Sequence, residues 1–283
     1  MNTPSQSTPL RLAIPCFNGA TYLQATLESL SVNRPWVSWH LQDGASRDNS
    51  ADIGRRLASP ADHVVSLPDK GQADALNQAI RQMGGDIIGF INADDLLAEG
   101  AAQAVLDHFE AHPEVDLVYG EVEWVDADGR VTGRHAGRID SLADCLDVYN
   151  VWWAKRQWVQ PEVFFRRRLW EKVGGFDTRY HLAFDYDYWV RCFLAGARVS
   201  RLPRVLARFR LHVAQKSADA KRAADEIRDI VASHLPLVPG GAPRGLARRL
   251  AYDRYHAGQD HAALSMPAML LRNPSWALLP DVR

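Results

Sequence analysis

The sequence predicts an α/β fold: a mostly parallel central sheet with helices on both faces, then a mixed region, then a helical C-terminal extension. Three observations predict it. Between residues 10 and 115, short apolar runs alternate four times with helix-periodic segments over short links, the pattern of an open parallel sheet. The run Ile87-Ile88-Gly89-Phe90-Ile91 is short, apolar throughout and bounded by glycine and polar residues, as a strand covered on both sides requires. Past residue 116 the apolar pattern alternates and then breaks at Asp126-Ala127-Asp128-Gly129, which reads as a hairpin and marks the change from parallel to mixed. These boundaries divide the chain into a flexible leader (1–9), one domain (10–215) with halves at 10–115 and 116–215, and the extension (216–283).

Taken in order, residues 10–17 form the first strand. Pro15-Cys16-Phe17-Asn18-Gly19 turns it into a helix over 20–30, where Leu23, Leu27 and Leu30 recur at helical spacing. Residues 36–42 supply a second strand. The loop from Asp43 to Ser50 that leaves it is crowded with capping residues, and a helix follows over 51–57. A third strand at 63–67 runs into a turn at Asp69-Lys70-Gly71 and a helix whose face carries Ala73, Leu76 and Ile80. The fourth, 87–91, ends in Asn92-Ala93-Asp94-Asp95 before a helix over 99–112. Right-handed crossovers put the C-terminal ends of these four strands along one edge of the sheet.

Downstream, residues 116–125 and 130–133 make the hairpin. Residues 140–158 are hard to phase, and Trp152, Trp153 and Trp158 there read either as a local core or as an exposed stacking floor. An extended run at 161–167, a short helix at 169–173 and the turn Gly174-Gly175-Phe176-Asp177 come next. A helix over 184–195 has Asp185, Trp189 and Cys192 on one side and Gly196 to close it. Residues 198–210 read as one or two strands broken by Pro203, and 217–234 as a helix with an apolar stripe.

At 283 residues, 47% hydrophobic and 24% charged, the chain can bury a large core and is neither disordered nor fibrous. A formal net charge of -1 supplies no long-range field for nucleic acid. Basic residues thicken at 166–168, 198–210 and 244–254, which reads as a solvated face or as a peripheral contact with phosphates or an anionic membrane surface. Cys16, Cys145 and Cys192 lack metal-ligand spacing and fit a reducing compartment. No signal peptide and no membrane-spanning run is legible, so the expectation is a cytoplasmic protein, working from the aqueous side if it meets the inner face of a membrane.

Four polar clusters converge on the one sheet edge: Asn18, Asp43 with Ser46, Asp69 with Lys70, and Asp94 with Asp95. Carboxylates suit ribose hydroxyls and base N–H groups, a lysine suits phosphate, and paired carboxylates suit a divalent cation. That set describes a nucleoside diphosphate held with Mn²⁺ or Mg²⁺. The acidic turn at Asp94-Asp95 taken alone also reads as a cap for the next helix, since Asp accepts backbone N–H bonds well. The first turn lacks the Gly-x-Gly-x-x-Gly dinucleotide fingerprint, and no Walker-type glycine loop is present.

From about residue 10 to 217, several separated blocks occur in one order: Pro15-Cys16-Phe17-Asn18-Gly19, Gln42-Asp43-Gly44-Ala45-Ser46-Arg47-Asp48, Asp69-Lys70-Gly71, Asn92-Ala93-Asp94-Asp95, Gly174-Gly175-Phe176-Asp177, Asp185-Tyr186-Asp187 and Arg210-Leu211-His212. In these blocks the chain resembles the inverting glycosyltransferases of family 2, which have the GT-A fold and use nucleotide sugars. The resemblance implies that Pro15, Phe17, Asn18, Asp43, Asp69, Lys70, Asn92 and Asp94 line the donor. It implies further that Asp95 ligates the cation, that His212 lies beside the cation or the diphosphate, and that Asp185 is the catalytic base. Family members often have Asp where this chain has Asn92.

Such a reaction needs positive charge where the nucleoside diphosphate departs, and one carboxylate on the far side of the sugar to accept the proton of the attacking hydroxyl. Helical spacing puts Asp185 and Asp187 on different faces, so one of them faces the cleft. Trp158, Gln160 and Asp187 are candidates for the acceptor side, because indoles pack on sugar faces and amides bond hydroxyls. The expected acceptor is a saccharide or a lipid-linked saccharide in cell-surface polysaccharide or glycolipid assembly, with other assembly proteins as partners and no nucleic acid. Two alternatives stay open: a nucleotidyltransferase on a related sheet, and a nucleotide- or glycan-binding protein that does not turn over.

Overall fold

Four parallel strands come first, β1 (Leu10–Cys16), β2 (Val37–Asp43), β3 (His63–Ser66) and β4 (Ile87–Phe90), ordered 3-2-1-4 across the sheet. The molecule is described by a computed structural model over residues 10–152, 154–213, 215 and 220–239. The leader 1–9, Trp153 and residues 240–283 of the expected extension lie outside the described residues. The register sets Cys16, Asp43 and Ser66 side by side, so the polar loops do leave one edge.

The helices that cover these strands follow from their apolar faces. In α1 (Ala20–Val32), Leu23, Leu27 and Leu30 are fully buried and join Leu10, Leu12 and Ile14 of β1. The same cluster takes Ala101, Val105 and Phe109 of α4 (Ala101–Ala111). Each such side chain contributes roughly 1.5–3 kcal/mol of burial. Strand alternation turns Arg11 and Ala13 the other way, where α3 (Gln72–Gln82) packs on β1 and β2. The short α2 (Ser50–Leu57) lies against α1 and β3.

Beyond β4 the sheet continues through β8 (Val163–Arg166), β6 (Leu117–Val125) and β9 (Val199–Arg210) to β5 (Leu96–Leu97), with β7 (Val131–His135) paired to β6. β8 runs antiparallel to β4 and β6, whereas β6 and β9 run parallel. The mostly parallel sheet with helices on both faces therefore stands, and the expected hairpin is β6–β7.

Three elements differ from the sequence reading. Val199–Arg210 is one strand, and Pro203 does not break it. It sits where the pairing to β6 skips from Arg201 opposite Tyr119 to Val205 opposite Glu121, an irregularity that needs no N–H from proline. β5 is two residues long, too short to leave a periodic signal. The segment that resists phasing holds α5 (Leu142–Leu146), whose Ser141 hydroxyl accepts the Asp144 N–H at 3.1 Å, and a single π-helical turn at Val148–Trp152.

Trp158 settles the core-or-floor question for itself. Its ring lies 4.6 Å from Tyr119, 6.0 Å from Trp189 and 5.9 Å from Phe193, inside the core. Trp189 and Phe193 belong to α7 (Phe184–Leu194), which packs on α6 (Arg167–Val173) and α5. The chain divides after Ile227 into two units, and α8 (Ala220–His234) begins in the first. No helix among the described residues is long and apolar enough to cross a membrane.

Candidate active site

The loops at the strand ends are held by one another. The Asp43 carboxylate, wholly buried at the end of β2, accepts bonds from the Ser46 hydroxyl, the Ser46 amide at 3.1 Å and the Ser66 hydroxyl at 2.5 Å. Ser46 in turn accepts the Asn18 amide at 2.7 Å, and Asn18 accepts the Arg47 amide at 2.9 Å. Asp48 caps α1 across the gap by accepting the Ala20 amide at 3.0 Å, and it also accepts the Ser50 hydroxyl at 2.5 Å. Burial opposes ionisation of Asp48, yet the bonds from Ser50 and the Ala20 amide outweigh it and hold the carboxyl below its usual range.

Gly44 leaves a slot that a side chain would fill. A Cβ there would lie 2.6 Å from Asp69 Oδ2 and 3.4 Å from the Phe17 ring. The Asp69 carboxylate and the Phe17 ring, 66% exposed, thus flank bare backbone. Asp69 Oδ1 accepts the Gly71 amide at 2.8 Å, and Gly71 adopts φ 112°, a conformation that favours glycine.

The acidic turn after β4 splits its two carboxylates. Asp94 faces the cleft, with Oδ2 at 2.9 Å from His212 Nε2. Asp95 is 1% exposed, and both of its oxygens are engaged: Oδ1 accepts the Arg210 amide and Oδ2 accepts Asn92 Nδ2, each at 3.0 Å. Burial first, then the neighbouring Asp94 charge, pushes the Asp95 carboxyl well above the usual range, against the opposing pull of Arg210 and Asn92. Asp95, expected to ligate a cation, thus points into the protein with both oxygens engaged, and its neighbour Asp94 opens into the cleft.

Arg210 was quoted in a block but given no role, and it fixes this turn. Its guanidinium bonds the carbonyls of Asp94 at 2.9 Å, Asp126 at 3.2 Å and Ala127 at 2.9 Å, and stacks 4.8 Å over Tyr22. Tyr22 also meets the His212 ring at 4.7 Å. Gln72 donates to Asn92 Oδ1 at 2.7 Å, which orients the Asn92 amide toward Asp95.

The opposite wall comes from the second half of the domain. Asp185 stands in the first turn of α7, half-buried, and accepts the Tyr186 amide at 2.8 Å. Gln160 donates its Nε2 to the Phe90 carbonyl at 2.5 Å, while its Oε1 is buried without a partner in the protein. Asp187 does not reach the cleft. It is buried and paired with Arg191 at 2.8 Å, and Arg191 also bonds the Gly175 carbonyl at 2.8 Å.

One cleft of about 720 Å³ gathers Pro15, Phe17, Asn18, Asp69, Asn92, Asp94, Gln160, Asp185 and His212 from the expected set. Asp43, Lys70, Asp95, Trp158 and Asp187 do not line it: Lys70 is exposed and the other four are buried. Tyr22, Gln72, His181 and Phe209 line it without having been expected, because each sits in a segment whose spacing spells only helix, turn or strand. Among the described residues no three His, Cys, Asp or Glu side chains converge to cage a metal. The Asp94–His212 pair offers one carboxylate oxygen and one imidazole nitrogen.

The mostly parallel sheet, with a cleft at its strand ends, is a fold of the GT-A type, shared with solved glycosyltransferases. The chain belongs to glycosyl transferase family 2, whose model matches residues 12–183, more than half of its length. A PGL/p-HBAD biosynthesis glycosyltransferase of Mycobacterium bovis is 31% identical over 200 residues, covering 69% of this chain and 73% of that one. Among solved structures, S. aureus TarS 1-349 in complex with UDP has a TM-score of 0.62 at 16% identity, covering 95% of this chain and 78% of that one. The mannosyltransferase PcManGT of Pyrobaculum calidifontis, in complex with GDP-Man and Mn2+, has a TM-score of 0.62 at 23% identity, covering 98% and 82%.

Proposed function

We propose that the chain transfers one sugar, with inversion, from a nucleoside-diphosphate sugar to a hydroxyl acceptor in the assembly of a cell-surface glycan. One observation carries the reading: the Asp94–His212 pair and Asp185, more than 80 positions along the chain from Asp94, open onto the same cleft. The solved neighbours bind UDP or GDP-Man, and the mycobacterial relative is named for PGL/p-HBAD biosynthesis, which supports the donor class and a biosynthetic setting.

Asp185 takes the proton of the acceptor hydroxyl as that oxygen attacks the anomeric carbon. Gln160, which lines the same cleft, stands on the acceptor side with Asp185. Phe17 and Asp69 flank the nucleoside over Gly44, the ring by stacking and the carboxylate by accepting its N–H or O–H groups. Asp94 and His212 would hold the divalent cation, Mn²⁺ or Mg²⁺. The Asp94 oxygen suits either ion, the His212 nitrogen favours Mn²⁺ over the harder Mg²⁺, and two ligands leave positions for diphosphate oxygens and water. The cation would neutralise the charge that develops on the departing diphosphate. Asp95 keeps the turn in shape and does not touch the ligand.

The test is a panel of UDP, GDP, TDP and CMP sugars with and without Mn²⁺, scored for release of the nucleotide and for the anomeric configuration of the product. Release of a nucleoside diphosphate with inverted product is expected. Retention of configuration, or pyrophosphate release from a nucleoside triphosphate, overturns the reading; tight binding of a sugar nucleotide with no turnover at all assigns a binder.

A further inference from the structure

The segment that presents Asp185 to the cleft is held from outside the stretch matched by the family. Residues 181–183 lead directly into α7, and Ala183 at its N-terminus supplies no side-chain cap. Their backbone amides point instead to one carboxylate on α8. Glu226 Oε2 accepts the Leu182 amide at 2.7 Å and the Ala183 amide at 3.0 Å, and Oε1 accepts the His181 amide at 3.2 Å. Arg222 Nε donates to the same Oε1 at 3.2 Å, one helical turn away. The Glu226 side chain is 13% exposed, so these bonds are shielded from water. Burial disfavours its charge, yet the three amides and Arg222 outweigh that and hold the carboxyl below its usual range.

Three consecutive amides on one carboxylate fix the path of the backbone. The next two residues, Phe184 and Asp185, line the cleft together with His181 and Leu182. Glu226 lies 43 residues after Ala183, and the family match ends at residue 183. We propose that Glu226 is a positioning residue for the transfer reaction, clamping the 181–183 backbone so that Asp185 meets the acceptor hydroxyl in register. The inference rests on the reading of Asp185 as the base. It makes the start of α8 part of the catalytic apparatus.

The experiment compares Glu226→Ala, Glu226→Gln, Asp185→Asn and the double variant E226A/D185N in the full chain. Three quantities are read: amide hydrogen exchange over 181–183, affinity for UDP and GDP with Mn²⁺, and turnover of the sugar nucleotide that the panel selects. Glu226→Ala is expected to speed exchange at His181, Leu182 and Ala183, to leave diphosphate affinity within about twofold, and to lower turnover on the order of 10²-fold, as misplacement of a reacting group does. Glu226→Gln keeps an oxygen for the two shorter bonds and recovers most of the turnover. In the Asp185→Asn background the alanine change costs nothing further, because the group it positions is gone.

Unchanged exchange at the three amides overturns the clamp. Multiplicative losses in the double variant, or nucleotide affinity falling in step with turnover, overturn the route through Asp185. Normal turnover in Asp185→Asn would remove the base assignment, while the exchange data would still decide whether Glu226 holds the segment. Should Glu226→Ala not fold, Glu226→Asp draws the carboxylate back by one methylene without removing its charge and carries the same measurements with the same expected signs.

Discussion

The wall of the cleft that carries Asn18, Asp69 and Asp94 is knit from loops at the ends of adjacent strands, whereas the wall that carries Asp185 and Gln160 is hung from helices and carbonyls far off in the chain. On the first wall, Asp43, Ser46, Asp48 and Asn18 satisfy one another within one band of loops. On the second, Gln160 is fixed by a carbonyl of β4 and the 181–183 backbone by a carboxylate of α8. The contrast teaches that the loops of Asn18 and Asp43 hold one another by bonds between neighbouring strand ends, while Asp94, like Asp185 and Gln160, depends on partners that the sequence does not place nearby.

Substitutions at the two walls should separate along that line, and the largest effect belongs to the second. Asp185→Asn should lower kcat by on the order of 10²–10⁴-fold while leaving nucleotide affinity intact, read by steady-state rates beside calorimetry. Equal loss of both would break the division between the walls.

On the first wall the adjacent pair Asp94 and Asp95 sharpens it further. Asp94→Ala should abolish the Mn²⁺ dependence of diphosphate affinity with little change in melting. Asp95→Ala should instead lower stability by roughly 1–3 kcal/mol for each of the two buried donors it strands, the Arg210 amide and Asn92 Nδ2, as denaturant titration would show. A metal-affinity loss confined to the Asp95 variant would reverse the assignment made here.

A subtler change at Gly44 probes the slot beside Asp69. Gly44→Ala forces a Cβ to within 2.6 Å of Asp69 Oδ2, so the donor KM should rise several-fold with kcat little altered.

The smallest effect concerns pH and lies behind the second wall. Glu162 is fully buried, with Oε1 accepting the Val159 amide at 2.8 Å and Oε2 unpartnered. Burial first, and then the nearby Glu121 charge, raises its carboxyl well above the usual range, against the Val159 amide and Arg201. The folded chain thus keeps a proton that the unfolded chain releases near the ordinary value of about 4.3. Stability from this group is complete below that pH and is lost as pH rises through the folded value, at up to about 1.4 kcal/mol per pH unit. Glu162→Gln should flatten that slope in melting curves taken across the window.

Legibility in the sequence followed the same division. Strand and helix periods gave the first four strands and their helices, because each element buries one regular face, as Leu23, Leu27 and Leu30 do. The polar blocks located the edge where the loops gather. They did not tell which of two neighbouring aspartates turns outward, since that depends on Arg210, paired across the sheet from β5 and β9. The i,i+4 spacing of Asp187 and Arg191 on one helix was there to be read, whereas spacing could not reveal that Trp158 joins the core, because its contacts with Tyr119 and Trp189 join segments that no local period relates. Pro203 misled for a similar reason: a proline forbids a ladder bond, but a register skip removes the need for one.

Arg210 carries one consequence of its own. A single guanidinium that grips the acidic turn, the hairpin tip and Tyr22 at once leaves the Asp94–His212 end with no independent freedom. Loss of that one side chain would therefore release the acidic turn, the hairpin tip and the tyrosine ring together.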